Sequence, residues 1–346
     1  MEQLPLWINI GVFAVAAAVV WIAGTSLAIA AEEISDRRRM GKAIMGLLVL
    51  ATATELPEIV TTLVAAASDN AELLLNNMFG GIALQTAILA IADATAIHVA
   101  ITHYPRKTTP ILEGTLLILI LGVLNAIILI GDIPLAGHMG VASVVMAGLY
   151  FWAVVLLRRT DRKTGWRPVE IPPIPEGARA GMFRLSVSAL SDRSLYLRFG
   201  IASLAILVFG GALVFAAEGI AIQTGLGNSF VGATLLAGST SLPELSTTIM
   251  AVRLHSFTMA ISNIFGSNLI MTLLILPADV LYVRGPLLLE ADPSAVYALI
   301  CGIIVTAIYV IGLVVRGRQR ILGMGYDSFA VILVYLASVA ILFGLK

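Results

Sequence analysis

The chain has 346 residues, of which 59% are apolar and only 12% carry a charge, and its mean hydropathy is +0.98. Soluble domains carry about 25% charged residues, so this composition excludes an ordinary water-soluble enzyme. The 21 basic and 21 acidic residues balance, which argues against a nucleic-acid partner. The single cysteine, Cys301, excludes an intramolecular disulfide framework.

Apolar runs long enough to cross the hydrocarbon core, about 20 residues each, occur ten times along the chain. They cover residues 6–30, 43–67, 71–97, 110–131, 138–157, 199–222, 228–252, 256–282, 293–315 and 326–345. Their lengths are typical of helices and not of barrel strands. Basic residues follow the first run, beginning at Arg37, and none precedes it. We therefore interpret this run as a retained spanning helix and not as a signal peptide.

The basic residues predict the orientation of these ten spans. With the N-terminus outside, 19 of the 21 Lys and Arg residues fall in inner loops, and only Arg284 and Lys346 fall outside. This distribution follows the positive-inside rule. We expect an integral protein of the plasma (inner) membrane, with both termini outside and the lipid bilayer as its surroundings.

Residues 158–198 separate two halves of five spans each. This segment holds nine basic residues and four prolines, and we interpret it as a cytoplasmic basic linker between residues 1–157 and 199–346. Part of it, residues 182–195, has apolar residues spaced so that an amphipathic helix lying on the membrane is an alternative.

The two halves contain an internal repeat. Residues 46–93 and 232–279 align without a gap at an offset of 186, and 16 of the 48 positions are identical. The same offset matches the Ala-Ala-Glu sequence that ends at Glu32 with the one that ends at Glu218. The repeated unit therefore contains five spans. Because five is odd, the two repeats have opposite orientations in the membrane, as in many secondary transporters.

Each repeat carries a Leu-Pro-Glu sequence in the middle of a span. Pro57 and Pro243 each remove one backbone N–H, which kinks the helix and frees carbonyl groups able to bind a cation. Glu58 and Glu244 follow directly. An ionised carboxylate at this depth costs roughly 2.5–3.5 kcal/mol on insertion scales, and no span offers a central Lys or Arg. The pattern favours a transported cation as the partner; protonated glutamates that pack in the core are the alternative.

These residues resemble a known family. The sequences ATATELPE and GSTSLPE, each followed by Asn-x-x-Gly at 77–80 and 263–266, are similar to the two repeats of the sodium/calcium exchanger branch of the calcium:cation antiporter superfamily. The resemblance implies ten helices in two inverted five-helix repeats. It also implies antiport of calcium, or another divalent cation, against sodium or protons by alternating access. No cofactor and no obligate protein partner are implied.

The resemblance further implies a set of ligands at equivalent positions of the two repeats. The implied carboxylates, hydroxyls and backbone carbonyls are Glu58, Glu244, Thr54, Thr240, Ser241, Ser267, Ala51 and Ala237. Glu58 and Glu244 would bind the divalent ion directly, together with Thr54 and Thr240.

Four positions depart from the family's pattern. Glu55 replaces a serine, Gly81 replaces a serine, Gln85 replaces an asparagine, and Met271 stands where the family has a carboxylate or asparagine. The usual third carboxylate is thus lost at Met271, while Glu55 supplies one on the same helix face as Glu58. Three crowded glutamates repel one another, so we expect one of them to take up a proton. Gln85 completes the predicted cation site.

Two other functions are compatible with ten spans. The first is a passive cation channel, which can also use glutamates in its pore. The second is an intramembrane hydrolase, which would need a catalytic nucleophile or a metal site. The sequence contains neither an HExxH motif nor a Gly-x-Ser-Gly motif, so we expect a protein that is not an enzyme and has no catalytic residues. Asp93 and Asp279, which are also equivalent in the repeat, are interpreted as structural residues at helix ends.

Overall fold

The described part of the protein is a bundle of helices with two short hairpins. A computed structural model describes residues 5–95, 100–162, 188–224 and 237–344. The helices are α1 (Leu6–Arg37), α2 (Lys42–Thr54), α3 (Leu56–Ala67), α4 (Ala71–Ala94), α5 (Thr109–Ile130), α6 (Val141–Asp161), α7 (Asp192–Gln223), α8 (Leu242–Arg253), α9 (Phe257–Leu281), α10 (Pro293–Val315) and α11 (Tyr326–Gly344). The hairpins pair β1 (Pro134–Ala136) with β2 (Met139–Gly140), and β3 (Arg320–Ile321) with β4 (Met324–Gly325).

The described helices are compatible with the ten predicted spans. Seven of those in the described residues are long and apolar enough to cross a membrane, and the bent pair α2 and α3 makes an eighth. Helix α11 is a shorter apolar helix. Helix α8 is the second half of the predicted span 228–252, and residues 228–236 of that span lie outside the described residues. The structure is therefore an all-α polytopic membrane fold.

Helices α1 and α7 are longer than the predicted apolar runs. The run predicted for α1 ended at residue 30, and the run predicted for α7 began at residue 199. Each has 32 residues, or about 48 Å at 1.5 Å per residue, against a hydrocarbon core of about 30 Å. Their charged ends stay helical because Arg37 pairs with Glu33 at 2.8 Å, one turn away, and with Asp192 at 2.9 Å. The two helices lie side by side.

The predicted linker 158–198 is correspondingly shorter, since α6 runs to Asp161 and α7 begins at Asp192. Most of the segment considered as an amphipathic helix lies outside the described residues.

The predicted helix interruption is present in both repeats. Helices α2 and α3 meet at Glu55 with a bend of 54°, and Pro57 occupies the first turn of α3, where a missing N–H is tolerated. Pro243 occupies the same place in α8. Within α2, residues Met45–Leu50 form π-helix, a distortion that often lies at functional sites.

Helix α9 lies at the centre of the bundle and contacts α2, α3, α4, α5, α6 and α8. Gly266 permits this packing, because a Cβ atom there would lie 2.6 Å from the backbone oxygen of Leu47. The equivalent residues Ile82 and Asn268 of the two repeats are in contact: the Asn268 side-chain amide donates to the Ile82 carbonyl at 3.4 Å. Helices α4 and α9 thus meet at the axis that relates the repeats.

Asp93 and Asp279 fix the ends of α4 and α9. Asp93 accepts hydrogen bonds from the backbone N–H groups of Ile101, at 2.6 Å, and Gly325, at 2.7 Å. Asp279 accepts from Leu287 and Gly140, both at 2.8 Å. Each aspartate therefore binds its own following loop and the hairpin of the other repeat. The prediction that both are structural is confirmed.

Candidate cation-binding site

Three glutamates from both repeats converge in the middle of the bundle. Glu55 lies at the break between α2 and α3, Glu58 lies in the first turn of α3, and Glu244 lies in the first turn of α8. One carboxylate oxygen from each lies within 4.8 Å of the others. Their side chains are 0%, 3% and 0% exposed, so the cluster is shielded from solvent.

Most oxygens of this cluster have no hydrogen-bond partner among the described residues. This holds for both carboxylate oxygens of Glu58, both of Glu244, and Oε2 of Glu55. Ionised carboxylates are pure acceptors, and buried acceptors without a partner are costly. Hard cations such as Ca²⁺ bind through oxygen atoms, mostly carboxylates and carbonyls. The cluster is therefore suited to a cation.

The folding of the chain explains why these side chains meet. Each Leu-Pro-Glu sequence starts a helix, so Glu58 and Glu244 both lie at helix N-termini, where the helix dipole favours a negative charge. The close approach of α9 to α2 and its contact with α8 bring the two starts together. The repeat therefore places one carboxylate from each half at the centre.

Glu55 has its own neighbours. The side-chain N–H of Gln85 on α4 donates to Glu55 Oε1 at 2.6 Å, and Ser267 on α9 lies beside the same carboxyl. Within the described part of the chain, the Ser267 hydroxyl and the Gln85 carbonyl oxygen are buried and have no hydrogen bond of standard geometry. Both oxygens are available to a cation.

The two threonines occupy equivalent positions with equivalent contacts. Thr54 donates to the Ala51 carbonyl at 3.1 Å, and Thr240 donates to the Ala237 carbonyl at 2.9 Å. Thr54 also lies near the Glu244 carboxyl. Each alanine carbonyl accepts a backbone N–H in addition. Both lone pairs of these carbonyls are thus occupied, so a cation bound there would displace one hydrogen bond.

A cavity of about 410 Å³ lies between α4 and the residues that precede α8. It extends from Asn70 and Glu72, at the start of α4, past Gly80 to Ala237 and Thr240. Thr240 is one turn before Glu244. Ser241, the equivalent of Glu55, is buried between Thr240 and the start of α8. The cavity therefore ends beside the residues that precede Glu244, and none of the three glutamates lines it.

The sequence prediction missed several buried polar residues around the site. Asn263 donates to Thr247 at 3.2 Å, and Asn268 donates to Thr86 at 3.2 Å, both through their side chains. Asn263 and Asn268 belong to the repeated motif on α9, and this was the available signal. They connect α9 to the helices that carry or support the glutamates.

Another buried glutamate lies apart from the cluster. Glu113 on α5 is 0% exposed and accepts a hydrogen bond of 2.6 Å from Ser262 on α9. The internal repeat does not point to it, because residue 299, its equivalent in the second repeat, is leucine. It joins α5 to the central helix.

Comparisons with known proteins agree with this architecture. Two solved structures of the sodium-calcium exchanger NCX_Mj, soaked with Na⁺ and Sr²⁺ or with Na⁺ and no Ca²⁺, superpose with TM-scores of 0.69 and 0.70 at 17% identity. In both cases the match covers 97% of this chain and 99% of the other. This similarity shows that the fold is shared.

A curated relative and a family model place the chain more specifically. The chain is 25% identical to the inner membrane protein YrbG of Escherichia coli (strain K12) over 256 residues, which are 73% of this chain and 72% of the relative. The model of the family described as sodium/calcium exchanger protein matches residues 8–158 and again residues 194–344. The chain therefore belongs to the sodium/calcium exchanger protein family, a family of integral membrane cation antiporters and not of enzymes.

Proposed function

We propose that this antiporter exchanges calcium, or another hard divalent cation, at a site formed by Glu55, Glu58 and Glu244. The observation that carries the proposal is the convergence of the three carboxylates within 4.8 Å. Five of their six oxygens lack a partner among the described residues. Oxygen donors from Gln85 and Ser267 adjoin the cluster and raise the number of ligands toward the six to eight that calcium prefers.

The charge of the cluster favours a divalent ion. Three ionised carboxylates carry three negative charges, and a single monovalent cation would leave two of them uncompensated in a buried site. One divalent ion together with one proton would neutralise the cluster completely. Uncompensated charge inside a membrane is costly, so this loading state is the favoured one.

Alternating access is the transport mechanism that inverted repeats serve in other transporters. Here Glu58 and Glu244 come from equivalent positions of the two repeats. The cavity that ends beside Thr240 supports access for ions from one side, with a short further opening needed to reach Glu244. We propose that an alternative arrangement of the same repeats gives access from the other side.

The proposed counter-ion is a proton or sodium, and a different observation favours each of them. Glu55 adds a carboxylate where the second repeat has Ser241, which favours a proton. Membership of the family favours sodium, but Gly81 and Met271 remove two oxygen ligands that sodium would use. The experiment below separates the two.

The test is calcium uptake into proteoliposomes at clamped voltage, with an outward proton gradient or an outward sodium gradient. We expect accumulation above the equilibrium level with at least one gradient, and its loss in Glu58→Gln and Glu244→Gln. Glu290→Gln, which changes an exposed carboxylate between α9 and α10 that does not line the cavity, serves as the matched control and should retain uptake. Calcium flux that only dissipates its own gradient would indicate a channel and contradict the proposal.

A further inference from the structure

A groove of about 580 Å³ lies between α1 and α7, away from the cation site. Small residues, among them Ala23 and Ala202, are buried at its base. Ile22, Leu197 and Ile201 line its sides and are 68%, 61% and 58% exposed. The groove therefore presents an apolar surface to the lipid, in the size range of ligand pockets, roughly 300–1,000 Å³.

One charged residue, Arg198, lines this groove. Residues 199–217, which follow it in α7, carry no charge and span about 28 Å at 1.5 Å per residue, close to the thickness of the hydrocarbon core. Arg198 therefore lies at the edge of the core, at the depth of the lipid headgroups on the side of the α1 C-terminus.

The positive charge of Arg198 is not compensated by the described residues. Its Nε donates to the Ser26 hydroxyl at 2.8 Å, and no carboxylate within the described ranges lies in ion-pair distance of it. By contrast, Arg37 and Arg38 nearby pair with Asp192 at 2.9 and 3.4 Å. Four of the five N–H donors of the Arg198 guanidinium remain for an anion.

We propose that this groove binds one anionic phospholipid, with its phosphate against Arg198 and an acyl chain in the apolar groove between α1 and α7. Basic residues between helices at the membrane surface are sites at which anionic headgroups bind. The apolar walls beside Arg198 select a lipid over free phosphate. This site is separate from the three glutamates, so the inference stands independently of the transported ions.

The test is native mass spectrometry of delipidated protein titrated with phosphatidylglycerol or with phosphatidylcholine of the same acyl chains. We expect one tightly retained phosphatidylglycerol per chain and weaker retention of phosphatidylcholine. Glycerol phosphate, which has the headgroup chemistry without acyl chains, should not be retained. Equal retention of the two lipids, or retention of glycerol phosphate, would overturn the proposal.

Variants of Arg198 test whether this residue binds the lipid phosphate. Arg198→Gln should weaken phosphatidylglycerol binding about fivefold or more, the effect of about one basic residue at an anionic surface, and Arg198→Lys should restore part of it. The matched control is Arg193→Gln, an exposed arginine on the same helix that does not line the groove, and binding should stay unchanged. An equal effect of both Gln variants would show general surface attraction instead.

A second variant tests the groove without changing charge. Ala205→Phe places a large side chain in the apolar part of the groove, where Ala205 is half-buried. It should weaken phosphatidylglycerol retention severalfold while the melting temperature stays that of the wild type, which shows that the protein is folded. Full lipid retention in this variant would exclude the groove as the acyl-chain site.

Discussion

Gln85 donates a hydrogen bond of 2.6 Å to Glu55. At both of these positions the first repeat differs from the second, so the two differences are in direct contact. Their equivalents in the second repeat are Met271 and Ser241, which form no such acid and amide pair. The asymmetry of the site is thus concentrated in one buried contact, and this contact gives the first repeat a carboxylate that the second repeat lacks.

Replacing Glu55 by the residue of the other repeat tests its role. Glu55→Ser should reduce proton-driven calcium uptake at least tenfold and leave calcium binding reduced by a smaller factor, because Glu58 and Glu244 remain. The measurement is uptake across a series of external pH values, beside equilibrium calcium binding. An unchanged pH profile would contradict a role of Glu55 in proton coupling.

Glu58 and Glu244 should be more important for transport than for folding. Their carboxylate oxygens have no partner within the described part of the chain, so Glu58→Gln and Glu244→Gln remove buried charge without breaking an observed hydrogen bond. We expect a melting temperature in calcium-free buffer that is equal to or above that of the wild type, with the stabilisation by added calcium lost. A large drop in melting temperature would instead indicate a structural role.

Gly266 tests the packing that assembles the site. A Cβ atom at this position would lie 2.6 Å from the backbone of Leu47, and overpacking of this kind costs about 1–3 kcal/mol. Gly266→Ala should therefore lower thermal stability, whereas Gly211→Ala on α7, where no described atom lies within 4 Å, should be neutral or stabilising. Equal effects of the two substitutions would contradict the close approach of α9 to α2.

The two aspartates that join the repeats should behave alike. Asp93→Asn and Asp279→Asn each place an amide N–H₂ opposite one of two backbone N–H donors, which leaves a buried donor unpaired at a cost of about 1–3 kcal/mol. We expect similar losses of thermal stability for the two variants. A loss confined to one of them would show that the two sets of contacts are not equivalent in energy.

Cysteine labelling tests the expected orientation of the protein, with its N-terminus outside. In a Cys301→Ala background, Ser68→Cys, in the exposed turn after α3, should react with a membrane-impermeant maleimide added to intact cells. Met40→Cys, in the exposed turn after α1, should react only after the membrane is permeabilised. The reverse pattern would show that the N-terminus is inside.

Much of this architecture is predictable from sequence because the hydrocarbon core requires long apolar helices and the duplication repeats its own motifs. The proline positions predict the breaks before Glu58 and Glu244. Apolar length alone did not predict that α1 and α7 continue to Arg37 and back to Asp192, because those ends depend on ion pairs between residues far apart in sequence. The hydrogen bond that Glu113 accepts was not predictable for the same reason, since its partner Ser262 is distant in the chain.

Anomalous X-ray scattering from crystals grown with calcium would locate the bound divalent ion directly. We expect one ion with oxygen atoms of Glu55, Glu58 and Glu244 at about 2.3–2.6 Å, and loss of that ion in Glu244→Gln. An ion bound elsewhere, with none at the three carboxylates, would show that these glutamates do not form the transport site.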